Sequence, residues 1–280
     1  MSRTVLITGC SSGFGEATAH LFAQRGWNVV ATMRRPEVGV ELGKRSNVLV
    51  TRLDVQDYES ISAAIAAGIS RFGSIDVVVN NAGFGLNAVF ESIPREKIQE
   101  QFDVNLFGVM DVVRAILPHF RAKRDGVIVN VSSGVGVFGL PMATLYNASK
   151  FALEGFSEAL SYELAAVGVT TKIVEPGAAP STGFPARTGE EAKQFDIPSD
   201  YDDFIAATGA IYSGFRDGAD ENVVQKVAEG IFFAATDHSH QLRYVLTEDI
   251  KPFVTARRET SESEYMGLMR RTFSLTASEA

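Results

Sequence analysis

The chain has 280 residues, 45% of them hydrophobic and 21% charged, the balance of an ordinary globular protein with a sizeable core. Its net charge of −8 argues against nucleic acid or an anionic membrane as the main partner. A single cysteine, Cys10, leaves no disulfide framework, and no apolar run is long enough for a signal-peptide core or a membrane span, so a cytoplasmic protein is expected.

Thr4 to Thr8 is a short β-branched run and reads as a buried strand. It leads into Thr8-Gly9-Cys10-Ser11-Ser12-Gly13-Phe14-Gly15, and helical spacing follows from Glu16 to Arg25, with Ala17, Leu21 and Phe22 inward. Glycines between a strand and a helix let a pyrophosphate approach the backbone and meet the helix N-terminus. The pattern is T-G-x-x-x-G-x-G, with a longer gap between its first two glycines than in G-x-G-x-x-G. Asn28 to Thr32 is the second expected strand. Met33 stands at its carboxyl end, followed by Arg34 and Arg35. An acid there would hold the ribose hydroxyls of NAD, whereas an arginine accommodates the 2′-phosphate of NADP. NADP(H) is therefore expected over NAD(H), unless the two arginines are only a solvated loop tip.

Val48 to Leu53 is the third strand, ending in Asp54-Val55. Asp54 either accepts from an adenine amino group or belongs to a cap or turn. Ser60 to Phe72 is an amphipathic helix. Ile75 to Val79 is an unbroken apolar strand, as a parallel sheet covered on both faces requires. Asn80-Asn81-Ala82-Gly83 follows, either a plain turn or the floor of a cleft beyond the strand ends. One long helix is expected from about Arg95 to Phe120. Asn105 lies inside it. A weak helix former at that point marks strain, a polar task, or a bond to its own helix.

Val127 to Val131 is the fifth strand, with Ser132-Ser133-Gly134 at its end. The next helix carries Tyr146 and Lys150 and runs to about Val167. Its apolar residues, among them Phe151, Leu153, Phe156 and Leu164, cover more than one stripe. A second covering surface is implied, from a partner subunit or from the same chain. Thr170 to Val174 is the sixth strand and ends in Glu175-Pro176-Gly177. From about 178 to 220 the chain is rich in Gly, Pro, Ser and Asp with interspersed aromatics, the character of a lid or substrate loop. Asn222 to Ala235 is helical, Arg243 to Leu246 is a last strand, and the extension from 251 to 280 carries enough apolar residues to pack on the body. No linker or repeat divides residues 1–280, so one domain is expected.

Tyr146 and Lys150 are four residues apart, which on a helix stacks them on one face. A phenol ordinarily holds its proton to a pKa of about 10. A nearby ammonium favours the phenolate, and bringing the tyrosine near neutrality needs on the order of 4 kcal/mol. Either the two merely share a helix, as a bare Y-x-x-x-K most often does, or Lys150 together with an oxidised nicotinamide supplies that and makes Tyr146 a general acid–base.

Taken together, Thr8-Gly9-x-x-x-Gly13-x-Gly15, Asn80-Asn81-Ala82-Gly83, Ser133, Tyr146-x-x-x-Lys150 and Pro176-Gly177 resemble the short-chain dehydrogenase/reductase family, in its compact single-domain branch. The resemblance implies a doubly wound, Rossmann-type α/β fold with a seven-stranded parallel sheet. It implies that Tyr146 exchanges a proton with the substrate oxygen and that Ser133 holds that oxygen, with Ser132 as the fallback. Lys150 would tune Tyr146 and bind the nicotinamide ribose, and Asn105 would hold a water linking Lys150 to solvent. Cofactor contacts carry over to Gly9, Ser11, Ser12, Gly13, Phe14 and Gly15, to Arg34, Asp54 and Val55, and to Asn81, Ala82 and Gly83. Near the carboxamide the family reads P-G-x-x-x-T. Here Pro176 and Gly177 match, Ser181 falls at the threonine's spacing, and Thr182 is one residue late.

The expected function is an NADP(H)-dependent oxidoreductase acting on a small-molecule carbonyl or secondary alcohol, as a homodimer or homotetramer and with no metal. A redox-silent NADP-binding sensor and a lyase or isomerase are the rival readings.

Overall fold

The computed structural model describes residues 2–182, 188, 190–191, 195–217 and 220–273. Seven strands form one parallel sheet: β1 (Thr4–Ile7), β2 (Asn28–Met33), β3 (Val48–Arg52), β4 (Val77–Asn80), β5 (Gly126–Val131), β6 (Val169–Glu175) and β7 (Arg243–Val245). Their order is β3-β2-β1-β4-β5-β6-β7, a Rossmann-type arrangement. Each central strand is buried on both faces. Val5 and Ile7 enter one core while Leu6 enters the other, and Val77 and Val79 part from Val78 in the same way. That is why these strands read as unbroken apolar runs without polar alternation.

On one face lie α1 (Gly13–Gln24), the short α2 (Val40–Gly43) and, later in the chain, a helix over Val223–Thr236. An edge-on contact between Phe22 and Trp27, with centroids 5.1 Å apart, helps lock α1 to that later helix through Phe232. On the other face lie α3 (Tyr58–Phe72), α4 (Arg95–Phe102), α5 (Gly108–Lys123) and α6 (Thr144–Ala165). After β6 the chain forms α7 (Asp202–Asp217), then α8 (Val223–Thr236), α9 (Lys251–Glu259) and α10 (Glu262–Phe273).

Two expected elements differ. The long helix from Arg95 to Phe120 is interrupted by a π-helical turn, Asp103–Phe107, with Asn105 at its centre. The Gly108 amide closes that turn by donating to the Asp103 carbonyl, five residues back instead of four. The expected loop from 178 to 220 holds α7, which Tyr212 ties to the body by donating to the Pro141 carbonyl. Parts of that loop (183–187, 189, 192–194 and 218–219) and the end of the tail (274–280) lie outside the described residues. Among the described residues no helix is long and apolar enough to cross a membrane.

The chain leaves β1 toward β2 on one side and returns to β4 on the other. The carboxyl ends of β1 and β4 therefore form the switch point at which such sheets open a crevice.

Candidate active site

At that crevice two loops interlock. The Thr8 hydroxyl accepts from the Asn81 and Ala82 amides, each at 3.0 Å. The Asn81 side chain donates back to the Thr8 and Gly9 carbonyls at 2.9 and 3.2 Å. Gly9 has φ +75°, and a Cβ there would meet Ala82 Cα at 3.0 Å. Gly15 faces away from the cleft: a Cβ on it would lie 2.2 Å from the Gly9 carbonyl oxygen. Its absence of side chain lets α1 pack on the loop, whereas Gly9, Ser11, Ser12, Gly13 and Phe14 line the cleft. No side chain caps the first turn of α1, so its amides remain available to an anion. A backbone cradle that side chains would fill, ending on an uncapped helix, fits a dinucleotide pyrophosphate.

At the end of β2, Met33 is buried with its thioether against Gly39. Arg34 is exposed on the cleft wall, and among the described residues no carboxylate pairs with it. Arg35 does not reach the wall. Asp54 and Val55 line the same end of the cleft. One Asp54 oxygen accepts from the Gln56 amide at 3.1 Å, so this residue both shapes a turn and faces the cavity. Capping of α3 falls instead to Asp57, which accepts from the Ser60 amide.

Further along the sheet, α6 brings Tyr146 and Lys150 to the cleft beside Ser133. The Ser133 hydroxyl lies beside the Tyr146 oxygen, near enough to favour its phenolate, and it donates to the Pro176 carbonyl and accepts from the Val135 amide, each at 3.4 Å. Ser132 points the other way, toward Glu154 and Gly136. Ser133 is the serine beside the tyrosine. Lys150 Nζ lies 5.8 Å from the centre of the Tyr146 ring and donates to the Val131 carbonyl at 2.8 Å. Asn147, which the sequence does not single out, fixes the loop that follows Ser133. It donates to Val135 and Phe138 carbonyls at 2.8 and 2.7 Å and accepts from the Leu140 amide.

Asn105 is buried behind this group and off the cleft wall. Its amide nitrogen donates to the Phe84 carbonyl and to Ser149 Oγ, at 2.9 and 3.1 Å, while its oxygen accepts from the Phe84 amide at 3.1 Å. Ser149 in turn donates to the Tyr146 carbonyl. The π turn is what aims this side chain between α6 and the β4 loop. A Cβ on Gly83 would fall 3.2 Å from Asn105 Oδ1 and 3.8 Å from Lys150 Nζ, so Gly83, Ala82 and Asn81 bring the cleft floor up against Lys150.

The electrostatics depart from the expectation for Tyr146. Burial pushes its phenol up to about 12, and the Ser133 hydrogen bond pulls only weakly the other way. Lys150 is itself held down to about 8 by burial, against the pull of Glu154. Among the protein's own groups, loss of water around the phenolate outweighs the one hydroxyl that favours it. One turn beyond Lys150, Glu154 is buried with its carboxyl raised by burial and by Glu175. Arg243 donates to Glu154 at 2.9 Å, and Arg258 of α9 donates to Glu175 at 2.5 Å.

The turn after β6 places the two candidate hydroxyls, Ser181 and Thr182, differently. The Thr182 amide donates to the Ala179 carbonyl, closing a turn with Pro180 second and Ser181 third. Ser181 therefore sits at the exposed corner, and Thr182 enters the cleft wall opposite Gly13. Pro176 and Gly177 also line the cleft. Two residues unmarked in the sequence hold this turn: Thr247 accepts from the Gly177 amide and Asp249 from the Ala178 amide, both at 2.9 Å.

A family model described as short chain dehydrogenase matches residues 3–192. An uncharacterized oxidoreductase of Schizosaccharomyces pombe is 35% identical over 247 residues, covering 87% of this chain and 100% of its own. Retinol dehydrogenase 8 of Bos taurus is 36% identical over 221 residues, 75% of this chain and 69% of its own. A short-chain dehydrogenase from Streptomyces avermitilis superposes with a TM-score of 0.81 at 30% identity, covering 97% of each chain. ElxO with NADP bound is 26% identical, with a TM-score of 0.69 over 87% of this chain and 97% of its own. The 3-ketoacyl-(acyl-carrier-protein) reductase from Brucella melitensis, complexed with NADH, is also 26% identical, with a TM-score of 0.72 over 87% of this chain and 96% of its own.

Proposed function

Because the chain belongs to the short-chain dehydrogenase family, we propose that it is an NADP(H)-dependent oxidoreductase that interconverts a carbonyl compound and its alcohol. The observation that carries this reading is the Ser133–Tyr146 hydroxyl pair on the wall of the cleft that also holds the glycine loop. A bound nicotinamide supplies the hydride. Ser133 holds the substrate oxygen and polarises the carbonyl. Tyr146 gives its proton to that oxygen in reduction and takes it back in oxidation. A phenol pushed up to about 12 is protonated at neutral pH, so the site starts loaded for reduction. In oxidation the same group needs positive charge nearby, and Lys150 is the protein's cation at hand.

Arg34 takes the 2′-phosphate in this reading, with Met33 filling the place of the acid that would prefer NAD(H). The solved relatives carry NADP in one case and NADH in another, so this preference rests on those two residues. NAD(H) remains the weaker substrate. Gly9 and Ser11 to Phe14 bind the pyrophosphate, and Gly15 supports them by close packing. Asp54 and Val55 hold the adenine end. Asn81, Ala82 and Gly83 face the ribose, while Pro176, Gly177 and Thr182 face the carboxamide. Asn105 acts as a positioning residue through Phe84 and Ser149, and its side-chain amide is engaged there.

The proposal extends to a single cytoplasmic domain that assembles as a homodimer or homotetramer. Phe151 and Tyr162 are 43% and 73% exposed on one face of α6, and nearby Phe107 is 45% exposed, which supports a covering partner. Light scattering at micromolar concentration tests the assembly. The reaction is tested by following nicotinamide absorbance with a ketone. One alcohol formed per NADPH consumed supports an oxidoreductase. Product without NADPH consumption would instead give a lyase or isomerase, and no turnover of any carbonyl or alcohol would leave a sensor.

A further inference from the structure

The cleft continues past Tyr146 into a chamber whose walls differ in kind from the cofactor end. The whole cavity measures about 770 Å³. Beyond Ser133 its lining is aromatic. Phe138 and Phe253 stack with ring centres 5.1 Å apart, Phe253 meets Phe273 at 5.9 Å, and Phe215 meets both at 6.4 and 6.1 Å. All four line the same cavity as Tyr146. Ile250 joins this cluster to the hydroxyl pair, because its side chain fills the space over Gly134, one residue past Ser133. Except for Phe138, these residues lie beyond position 192, where the family match ends. They come from α7, α9 and α10, and Tyr212 secures α7 by donating to the Pro141 carbonyl at 2.5 Å.

The charges point the same way. Glu100 and Asp249 line the cavity, but Lys97 pairs with the first at 2.8 Å and the Ala178 amide donates to the second at 2.9 Å. Among the described residues the cavity's cations are Lys150, which donates to Val131, and Arg34. Arg34 sits at the end of β2, three strands from β5, or roughly 14 Å at the usual strand spacing. A carboxylate or phosphate on the substrate body meets aromatic faces there, with no cation among the described residues to receive it.

We propose that the substrate is an uncharged alcohol or ketone carrying a large apolar body, and that Phe253, at the centre of the aromatic cluster, sets this specificity. The word substrate rests on the oxidoreductase reading, while the chemistry of the chamber does not.

Binding separates the two. Calorimetric titration of the full chain, with NADP+ present so that a ketone binds without reduction, compares 2-hexanone, 2-decanone and the anionic analogue 9-oxodecanoate. Burying four more methylenes should tighten 2-decanone over 2-hexanone by at least about thirtyfold. The carboxylate should weaken binding by at least about tenfold relative to 2-decanone. Phe253→Ala should weaken 2-decanone by about tenfold, and 2-hexanone much less. Phe253→Leu, which keeps most of the volume, should stay within about threefold of the parent and guards against a folding defect in the alanine variant. Equal affinity for the two ketones, tighter binding of 9-oxodecanoate, or unchanged 2-decanone binding in a folded Phe253→Ala variant overturns the proposal. Length-dependent binding of 2-decanone without its reduction by NADPH supports the apolar chamber and counts against the oxidoreductase reading instead.

Discussion

Lys150 holds its ammonium 5.8 Å from the centre of the Tyr146 ring, yet its hydrogen bond goes to the Val131 carbonyl at 2.8 Å. The lysine is thus anchored by the sheet and makes no hydrogen bond to the tyrosine ring it faces. The tyrosine's direct partner is Ser133. This division separates the two: Ser133 and Tyr146 both face the cleft, and Lys150 stands behind the tyrosine ring.

Removing one oxygen tests that arrangement. Tyr146→Phe keeps the ring on the cleft wall and deletes the proton carrier. General acid catalysis contributes roughly a hundred- to ten-thousandfold, so kcat should fall into that range or below detection. The NADP(H) dissociation constant, read by fluorescence titration, should change by less than about threefold, because the phenol oxygen is one contact among many. Retained turnover would remove Tyr146 from the chemistry.

Lys150 provides a test that needs no substrate. Its pKa is held down to about 8 from an ordinary 10.5. Below pH 8 the folded protein carries a buried ammonium that the unfolded chain hydrates freely, a cost on the order of 3 kcal/mol. Between pH 8 and 10.5 the unfolded chain binds the extra proton, so the lysine's contribution to stability rises with pH. Lys150→Met lacks this dependence. The stability of the parent relative to that variant, from urea unfolding, should therefore increase from pH 8 to pH 10.5. A flat or falling difference would mean that the lysine is as well solvated folded as unfolded.

Much of this site is readable before any coordinates. Strand ends fall where runs such as Val77-Val78-Val79 stop, because a strand buried on both faces leaves no room for polar residues. The serine thirteen positions before Tyr146 meets it because the loop after β5 and the first turn of α6 are joined by a short, Asn147-pinned segment. What the sequence withholds depends on packing between distant segments. The sign of the Tyr146 shift is set by burial against the Ser133 hydroxyl, and spacing cannot weigh them. Thr182 replaces Ser181 on the wall because Pro180 closes a turn. Thr247 and Asp249 act from some seventy residues away. α7 is hidden in a Gly-, Pro- and Ser-rich stretch whose order comes from contacts with Pro141 and Phe253. Only Asn105 gave a local warning, as a poor helix former where the π turn now lies.

The end of β2 is the place to test cofactor choice. Met33→Asp with Arg34→Ala restores an acceptor for ribose hydroxyls and removes the exposed guanidinium. A charged hydrogen bond is worth roughly 1.5–3 kcal/mol, so kcat/KM with NADPH should drop by about ten- to a hundredfold while that with NADH holds or rises. Unchanged kinetics with both cofactors would mean that the 2′-phosphate is held elsewhere.

Asn105 joins the π turn, the β4 loop and α6 through one amide group. In Asn105→Ala the buried Phe84 carbonyl keeps its bond from Gln101 Nε2 at 2.7 Å, whereas Ser149 and the Phe84 amide both lose the partner that Asn105 supplied. Losing a buried hydrogen bond costs about 0.5–1.5 kcal/mol, and for a chain of this size each kcal/mol lowers Tm by roughly 2–4 °C. A fall of several degrees in the melting temperature is expected. Because Ser149 also holds the Tyr146 carbonyl, kcat should fall further than stability alone explains at temperatures where the variant is fully folded. Asn105→Asp keeps the acceptor for Phe84 but loses both donations and buries a charge, so its loss of stability should exceed that of alanine near neutral pH and shrink as the pH falls through the carboxylate range. Melting curves for the two variants over that pH range, paired with initial rates, separate a wedge that only fills space from one that aims Tyr146.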